Sequence, residues 1–355
     1  MVQNILLKIL LLPFSIVYGF LSFLFNSLYD LKFLDSTSFN IPVINIGNLT
    51  VGGSGKTPHT EYLIRLLSPY INVAVLSRGY KRNTKGFKAV QLNDNVHSVG
   101  DEPLLYKRKY NDIGVYVHVS RSEGIPAILM KKPETQAILL DDAYQHRAVM
   151  PGLNILLTTF DNPFSSDFFL PSGNLREWRS AYKRADVIVV SKCPEKMNEN
   201  DREKFLQKIN PLSRQTVFFS QYHYYRPYYM YDAGKTIELN ENLHVVLVSA
   251  IASSSYLLQY LNEKVDYLDT MEYVDHHVFS AHELSQIKRH FDQIKAENKI
   301  ILTTEKDATR LDLHRQYILE NNLAIYVLPV DIRFHFNEQE KFNKYIQNYL
   351  LDFKV

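Results

Sequence analysis

A chain of 355 residues with 46% hydrophobic content is long enough for two α/β domains with filled cores, which excludes disorder as its main theme. A net charge of +2 with 22% charged residues gives no global reason for a nucleic-acid partner, although the 40 basic side chains can still be concentrated locally. The single cysteine, Cys193, excludes an intramolecular disulfide, and the lack of any Cys/His cluster at zinc spacing fits a reducing compartment and a cytoplasmic catalytic body.

The first element is ILLLPFSIVYGFLSFLFNSLY, Ile9 to Tyr29, which spans 21 residues without a charge. That is close to the roughly 20 residues needed to cross a bilayer, so membrane contact is expected. A signal peptide is disfavoured, since no small-x-small cleavage site follows. A buried core helix is the bland alternative, and spanning versus monotopic insertion stays open.

Short β-branched runs then alternate with helical segments, the pattern of a mostly parallel sheet covered on both faces. Strands are expected at Val43–Ile46, Val73–Leu76, Val115–His118, Ala137–Leu140, Ile155–Thr158 and Val187–Val190. Helices start at Lys56, Glu102 and Arg121, and another covers Asn174–Arg184. From Gln215 to Asn240 the tyrosine-rich VFFSQYHYYRPYYMYDAGKTIEL reads as an antiparallel hairpin or small sheet. Its cluster Tyr222–Tyr231 is most simply sheet packing, although such rings also stack on bases or sit at headgroup depth. A second alternating block follows, with strands at Val245–Ser249, Ile300–Thr303 and Ala324–Leu328 and helices at Ser254–Leu261, Ala281–Glu297 and Glu338–Leu351. The expected organisation is a membrane-associated helix (1–35), a doubly wound nucleotide-binding core (36–214), a hairpin linker (215–240) and a C-terminal α/β lobe (241–355). In fold class this is α/β, P-loop NTPase-like, with a second smaller lobe.

The chemistry starts at VINIGNLTVGGSGKTP, where Thr50, Val51, Gly52, Gly53, Ser54, Gly55, Lys56 and Thr57 join an apolar strand to an amphipathic helix. Glycines let consecutive N–H groups point at phosphate oxygens, and the helix N-terminus adds its dipole. Lys56 is then expected at the β/γ-phosphates and the Thr57 hydroxyl on Mg²⁺. Thr50 stands where the usual pattern has its first glycine. A carboxylate at the tip of a neighbouring strand completes such a site, and AILLDDAYQH supplies Asp141 and Asp142, one as the metal partner and the other to orient water or substrate. A GTPase base signature is not cleanly present, since SKCP at Ser191–Pro194 and TEKD at Thr304–Asp307 do not fit it, so ATP is favoured. Glu305, Lys306 and Asp307 either line the nucleotide cleft or cap a helix.

Taken together, NIGNLTVGGSGKTP, LSRGY (Leu76–Tyr80), GDEP (Gly100–Pro103), LDDAYQH (Leu140–His146), LPSGNLRE (Leu170–Glu177), DHH (Asp275–His277) and TTEKDA (Thr303–Ala308) resemble the tetraacyldisaccharide 4′-kinase family of bacterial lipid A synthesis. The resemblance runs to about Leu311. It implies an enzyme at the cytoplasmic face of the bacterial inner membrane that moves the γ-phosphate of ATP to the 4′-hydroxyl of an acylated glucosamine disaccharide. It also implies a catalytic dyad of Asp101 and His276, with Asp101 accepting the hydroxyl proton and His277 as an alternative partner. From the residues alone, Asp101 reads rather as the N-cap of the helix Glu102–Lys109. Arg176 has a donor fork suited to the charge that builds during transfer, or lies on a solvated helix face. The implied partners are the lipid and the bilayer, with no nucleic acid and no obligate protein partner. The rival functions are a P-loop GTPase or ATPase coupled to a partner protein, and a non-catalytic membrane scaffold.

Overall fold

The computed structural model describes residues 2–354; Met1 and Val355, the outer ends of the first and last expected segments, lie outside the described residues. The larger of two sheets has nine strands in the order 330–334, 216–224, 187–191, 153–159, 43–48, 137–141, 73–77, 114–117 and 88–89. Its interior pairings are parallel, and only the edge strands Val330–Phe334 and Lys88–Ala89 run antiparallel. Val43–Asn48, Val73–Ser77, Ala137–Asp141 and Val187–Ser191 are buried at every position, as strands covered on both faces must be. On one face Ile44, Val75 and Val189 meet Leu63 and Leu104 together with Phe342 and Ile346 of the last helix. On the other, Leu76 and Ile138 meet Ile125 and Ile128, while Leu156 and Ile188 meet Phe205 and Ile209. Each such fully buried aliphatic side chain contributes ~1.5–3 kcal/mol.

The smaller sheet runs 232–236, 228–229, 325–328, 299–304, 244–249 and 267–272, with a parallel centre and its own core around Val246, Val248, Ile301, Leu284 and Ile318. Its edge strand Tyr267–Glu272 goes unpredicted because it is half-exposed and polar at Asp269, Thr270 and Glu272.

Three expectations are corrected. The segment Asn174–Arg184 is not a continuous helix: its first half is extended against the glycine-rich loop, and only Arg179–Arg184 forms a 3₁₀ turn. The tyrosine-rich stretch is not one hairpin, because Thr216–Tyr224 belongs to the large sheet and only Tyr228–Tyr229 and Asp232–Thr236 pair as a ribbon in the small one. Finally, Val330–Phe334 and the helix Gln339–Leu351, expected with the C-terminal lobe, return to the large sheet. The chain therefore crosses between lobes twice, after Tyr224 and again at Pro329, with Tyr222 and Tyr224 packed on Tyr256 and Tyr260 at 5.3 and 4.4 Å.

The N-terminal helix, Val2–Asp30, lies along the large lobe. Ser15 Oγ donates to Phe169 O at 3.1 Å, Tyr18 OH donates to Arg176 O at 3.0 Å, Trp178 Nε1 donates to Gly19 O at 2.8 Å, and Arg147 pairs with Asp30 at 2.7 Å. Its opposite flank exposes Phe14, Ile16, Val17, Phe20, Phe23 and Leu24. The docked stretch, Ser15 to Asp30, is ~22 Å long at the helical rise.

Candidate active site

The loop between the strand Val43–Asn48 and the helix Lys56–Leu67 turns on Gly52 (φ 106°) and Gly55 (φ 86°), left-handed positions that favour glycine. Gly55 is the helix N-cap, and no side chain caps the first N–H groups, which leaves them for an anion. Thr50 needs no glycine, since it is not left-handed and forms an antiparallel bridge with Leu175, while Val51 N donates to Asn174 O at 2.8 Å. The segment misread as a helix is thus the outer brace of the loop.

Lys56 Nζ donates to Asn48 Oδ1 at 3.2 Å and stands 3.7 Å from Asp142. Arg176 Nη2 donates to Asp142 Oδ1 and to Asn48 O at 3.0 and 2.9 Å. Burial works against the Asp142 charge, but Lys56 and Arg176 outweigh it and hold the carboxyl well below the usual range. Asp141 is its opposite. It is 1% exposed and neither carboxylate oxygen has a partner, and burial, with Glu102 and Asp142 nearby, pushes it up to about 8. Either aspartate could be the expected metal partner, and of the two only Asp141 has carboxylate oxygens without a hydrogen bond.

Across the cavity, Gly100 (φ 91°) packs on Gly79, where an added Cβ would stand 3.1 Å from the Gly79 backbone. This close contact joins the LSRGY turn to GDEP and sets Asp101 at the first position of the helix Asp101–Lys109. Asp101 is 5% exposed and is not the N-cap, which is Gly100, although its Oδ1 accepts from Glu102 N at 3.0 Å; His276 Nδ1 donates to its Oδ2 at 2.8 Å, and Arg310 Nη1 lies 3.3 Å from the same oxygen. Burial opposes the charge, but Lys306, His276 and Arg310 prevail and keep the carboxyl well below the usual range. His276 lines the cavity and its Nε2 accepts from Lys306 Nζ at 3.3 Å, while Tyr80 packs on its ring at 4.7 Å. The alternative partner, His277, is instead bound to Glu283 at 2.9 Å.

The TEKD segment both caps and lines. Thr304 caps the helix Glu305–Leu311, Lys306 donates to Glu102 at 3.1 Å, and Glu305 takes Lys109, which also holds the buried Glu61. Arg310 is invisible to motif reasoning; its only sequence signal is its place three residues after Asp307, with which it pairs. Thr50–Thr57, Asp141, Asp142, Arg176, Glu102, His276 and Lys306 border one cavity of about 580 Å³ between the lobes, and Asp101 and Arg310 stand behind His276. Phosphate donors, a free carboxylate and a His/Asp pair in one enclosure suit phosphoryl transfer from a nucleotide to a hydroxyl.

Along residues 7–351 the chain matches a family model described as tetraacyldisaccharide-1-P 4′-kinase. A tetraacyldisaccharide 4′-kinase of Bacteroides thetaiotaomicron is 42% identical over 352 residues, covering 96% of this chain and 92% of the relative. One from Flavobacterium johnsoniae is 41% identical over 350 residues, covering 98% of each. Among solved structures, LpxK from Aquifex aeolicus in complex with ATP superposes with a TM-score of 0.73 at 28% identity, over 97% of this chain and 99% of that one.

Proposed function

We propose a course for the reaction from one premise: this chain belongs to the tetraacyldisaccharide-1-phosphate 4′-kinase family. Its activity is the transfer of the γ-phosphate of ATP to the 4′-hydroxyl of tetraacyldisaccharide 1-phosphate in lipid A biosynthesis. A bond forms between the 4′-oxygen and the γ-phosphorus, the bond from that phosphorus to the bridging oxygen of ADP breaks, and the hydroxyl proton leaves. The observation that carries the assignment of roles is the Asp101–His276 hydrogen bond at the wall of the cavity that also holds the glycine-rich loop.

Residues 50–57 cradle the phosphates with backbone N–H groups and Lys56 neutralises their charge. Arg176, at the same end of the loop, presents a fork suited to the equatorial oxygens of the transferring group. The proton enters at His276, the member of the dyad that lines the cavity, at Nε2 once Lys306 Nζ releases that atom to the substrate, and Asp101 holds the imidazolium through Nδ1. This exchanges the roles expected from the resemblance, because a carboxylate ringed by Lys306, His276 and Arg310 is a weak base. The unpartnered Asp141 oxygens and the Thr57 hydroxyl are hard oxygen donors that fit Mg²⁺, which keeps waters and phosphates as its other ligands. When bound, Mg²⁺ supplies charge neutralisation to the β- and γ-phosphate oxygens.

The protein works at the cytoplasmic face of the inner membrane. A helix bonded to its own lobe from Ser15 to Asp30 has one flank left for lipid, which favours monotopic insertion over a span. Phe20→Glu with Leu24→Glu is expected to abolish flotation with anionic phospholipid vesicles while leaving the unfolding temperature unchanged; undiminished flotation would exclude this flank. Transfer itself is tested with γ-labelled ATP, Mg²⁺ and detergent-dispersed tetraacyldisaccharide 1-phosphate: labelled bisphosphorylated lipid is the expected product, and its absence from folded, ATP-bound protein refutes the acceptor.

A further inference from the structure

Lys192 is a cation of the cavity that the reaction described so far does not use. It follows the strand Val187–Ser191 in the Ser-Lys-Cys-Pro turn, with a left-handed backbone at φ 55°. The turn is fixed on three sides. Ser191 Oγ donates to Ser54 O at 2.7 Å, Cys193 N donates to Ser220 O at 2.9 Å, and Tyr256 OH donates to Cys193 O at 3.0 Å. The first of these bonds ties the turn to the glycine-rich loop itself, so Lys192 and the loop keep one relative position.

From that turn the side chain passes over the Tyr222 ring, with Nζ 5.7 Å from the ring centroid, and ends at the mouth of the loop. A Cβ built on Gly53 would stand 3.7 Å from Nζ and 4.0 Å from Ser253 N of the second lobe. Among the described residues no carboxylate or other acceptor takes a hydrogen bond or an ion pair from this ammonium. Burial lowers its pKa, and Asp161 offsets only part of that. An ammonium withdrawn from water normally has an anionic partner, and here the groups beside it are the empty N–H donors of an anion cradle.

The strand order fixes the side from which Lys192 approaches. Asp141 and Asp142 end the strand next to Val43–Asn48 on one side, whereas Val187–Ser191 lies two strands away on the other. Lys56 and Arg176 are both drawn to Asp142 on the first side, so positive charge on the far side of the loop has to come from elsewhere.

We propose that Lys192 is a second lysine for the nucleotide, its ammonium binding oxygens of the ATP polyphosphate chain from the side of the loop opposite Asp142. This rests on the reading that residues 50–57 hold the ATP phosphates. It makes Lys192 a reader of phosphate number: nucleotides with a polyphosphate engage it and adenosine does not. No role in proton transfer follows, because His276 lies at the other end of the cavity's chemistry, on Asp101.

The test is calorimetric titration of the full-length protein in detergent with ATP and with adenosine, beside acceptor and ATP kinetics. Lys192→Met is expected to weaken ATP binding about 10- to 100-fold, to raise KM for ATP and to leave KM for the lipid and adenosine affinity unchanged. Lys192→Arg keeps the charge and most of the affinity. Unchanged ATP affinity in Lys192→Met overturns the proposal. So does an equal loss of ATP and adenosine affinity with a lowered unfolding temperature, which makes the residue a structural part of the turn. If the wild type binds no ATP, or Lys56→Ala retains full affinity and turnover, the loop assignment itself fails whatever Lys192 does.

Discussion

Asp101→Asn is expected to lower kcat for phosphoryl transfer by about 10²- to 10⁴-fold, the range a positioned acid–base group supplies, while ATP still binds. The amide keeps the size of the carboxyl but loses the charge that Lys306, Arg310 and the His276 Nδ1–H are arranged around. It can accept one hydrogen bond from Nδ1, yet it stabilises an imidazolium poorly, so the dyad loses its ability to hold the proton at Nε2. Single-turnover transfer of γ-phosphate separates this loss from product release, and nucleotide titration checks that the loop is intact. His276→Gln locates the proton. If the imidazole receives it, that variant fails as severely as Asp101→Asn; if His276→Gln stays active while Asp101→Asn is dead, the carboxylate takes the proton directly. A collapse of ATP affinity in Asp101→Asn would instead put Asp101 at the metal, against its enclosure by Lys306, Arg310 and the His276 Nδ1–H.

Lys56→Ala is expected to reduce kcat by at least about 10²- to 10³-fold, the cost of removing one preorganised charge-stabilising donor, and to raise KM for ATP as well. Two effects combine. The transferring group loses a cation at the end of the loop, and Asp142, whose two ion-pair partners are Lys56 and Arg176, is left with Arg176 as its one ion pair. Arg176 is then held more firmly by Asp142 and less available to phosphate. Steady-state kinetics in both substrates checks this, because KM for the lipid should not move. Full activity in the variant would remove Lys56 from the phosphate site.

The glycine-rich loop was legible in the sequence because its geometry demands particular residues. Gly52 and Gly55 take positive φ, and an apolar strand precedes a helix at a fixed spacing. The aspartates closing Ala137–Asp141 were legible for a similar reason, although which of them keeps free oxygens depends on Lys56 and Arg176 arriving from other elements. Asp101 and His276 are 175 positions apart, and no local pattern pairs residues across two lobes; only the resemblance joined them. Asn174–Arg184 misled because its composition suits a helix, whereas its backbone donors and acceptors are spent on Leu49 and Val51. The return of Val330–Phe334 to the large sheet was hidden for the same reason, since strand partners are chosen by the fold and not by neighbours in sequence.

Arg176 is also where the N-terminal helix and the candidate site meet. Its guanidinium reaches Asp142 and Asn48 in the site, while its carbonyl accepts from Tyr18 and Ser22 of the helix. Leu175, one residue earlier, is the bridge partner of Thr50. A single short strip therefore has the apolar N-terminal helix on one edge and the glycine-rich loop on the other. A helix joined to the site this way is not a tail that could be exchanged for another: cutting it away would take Tyr18 out of the cavity wall and leave the Arg176 carbonyl without its two donors, so the truncated protein would be a differently shaped catalyst.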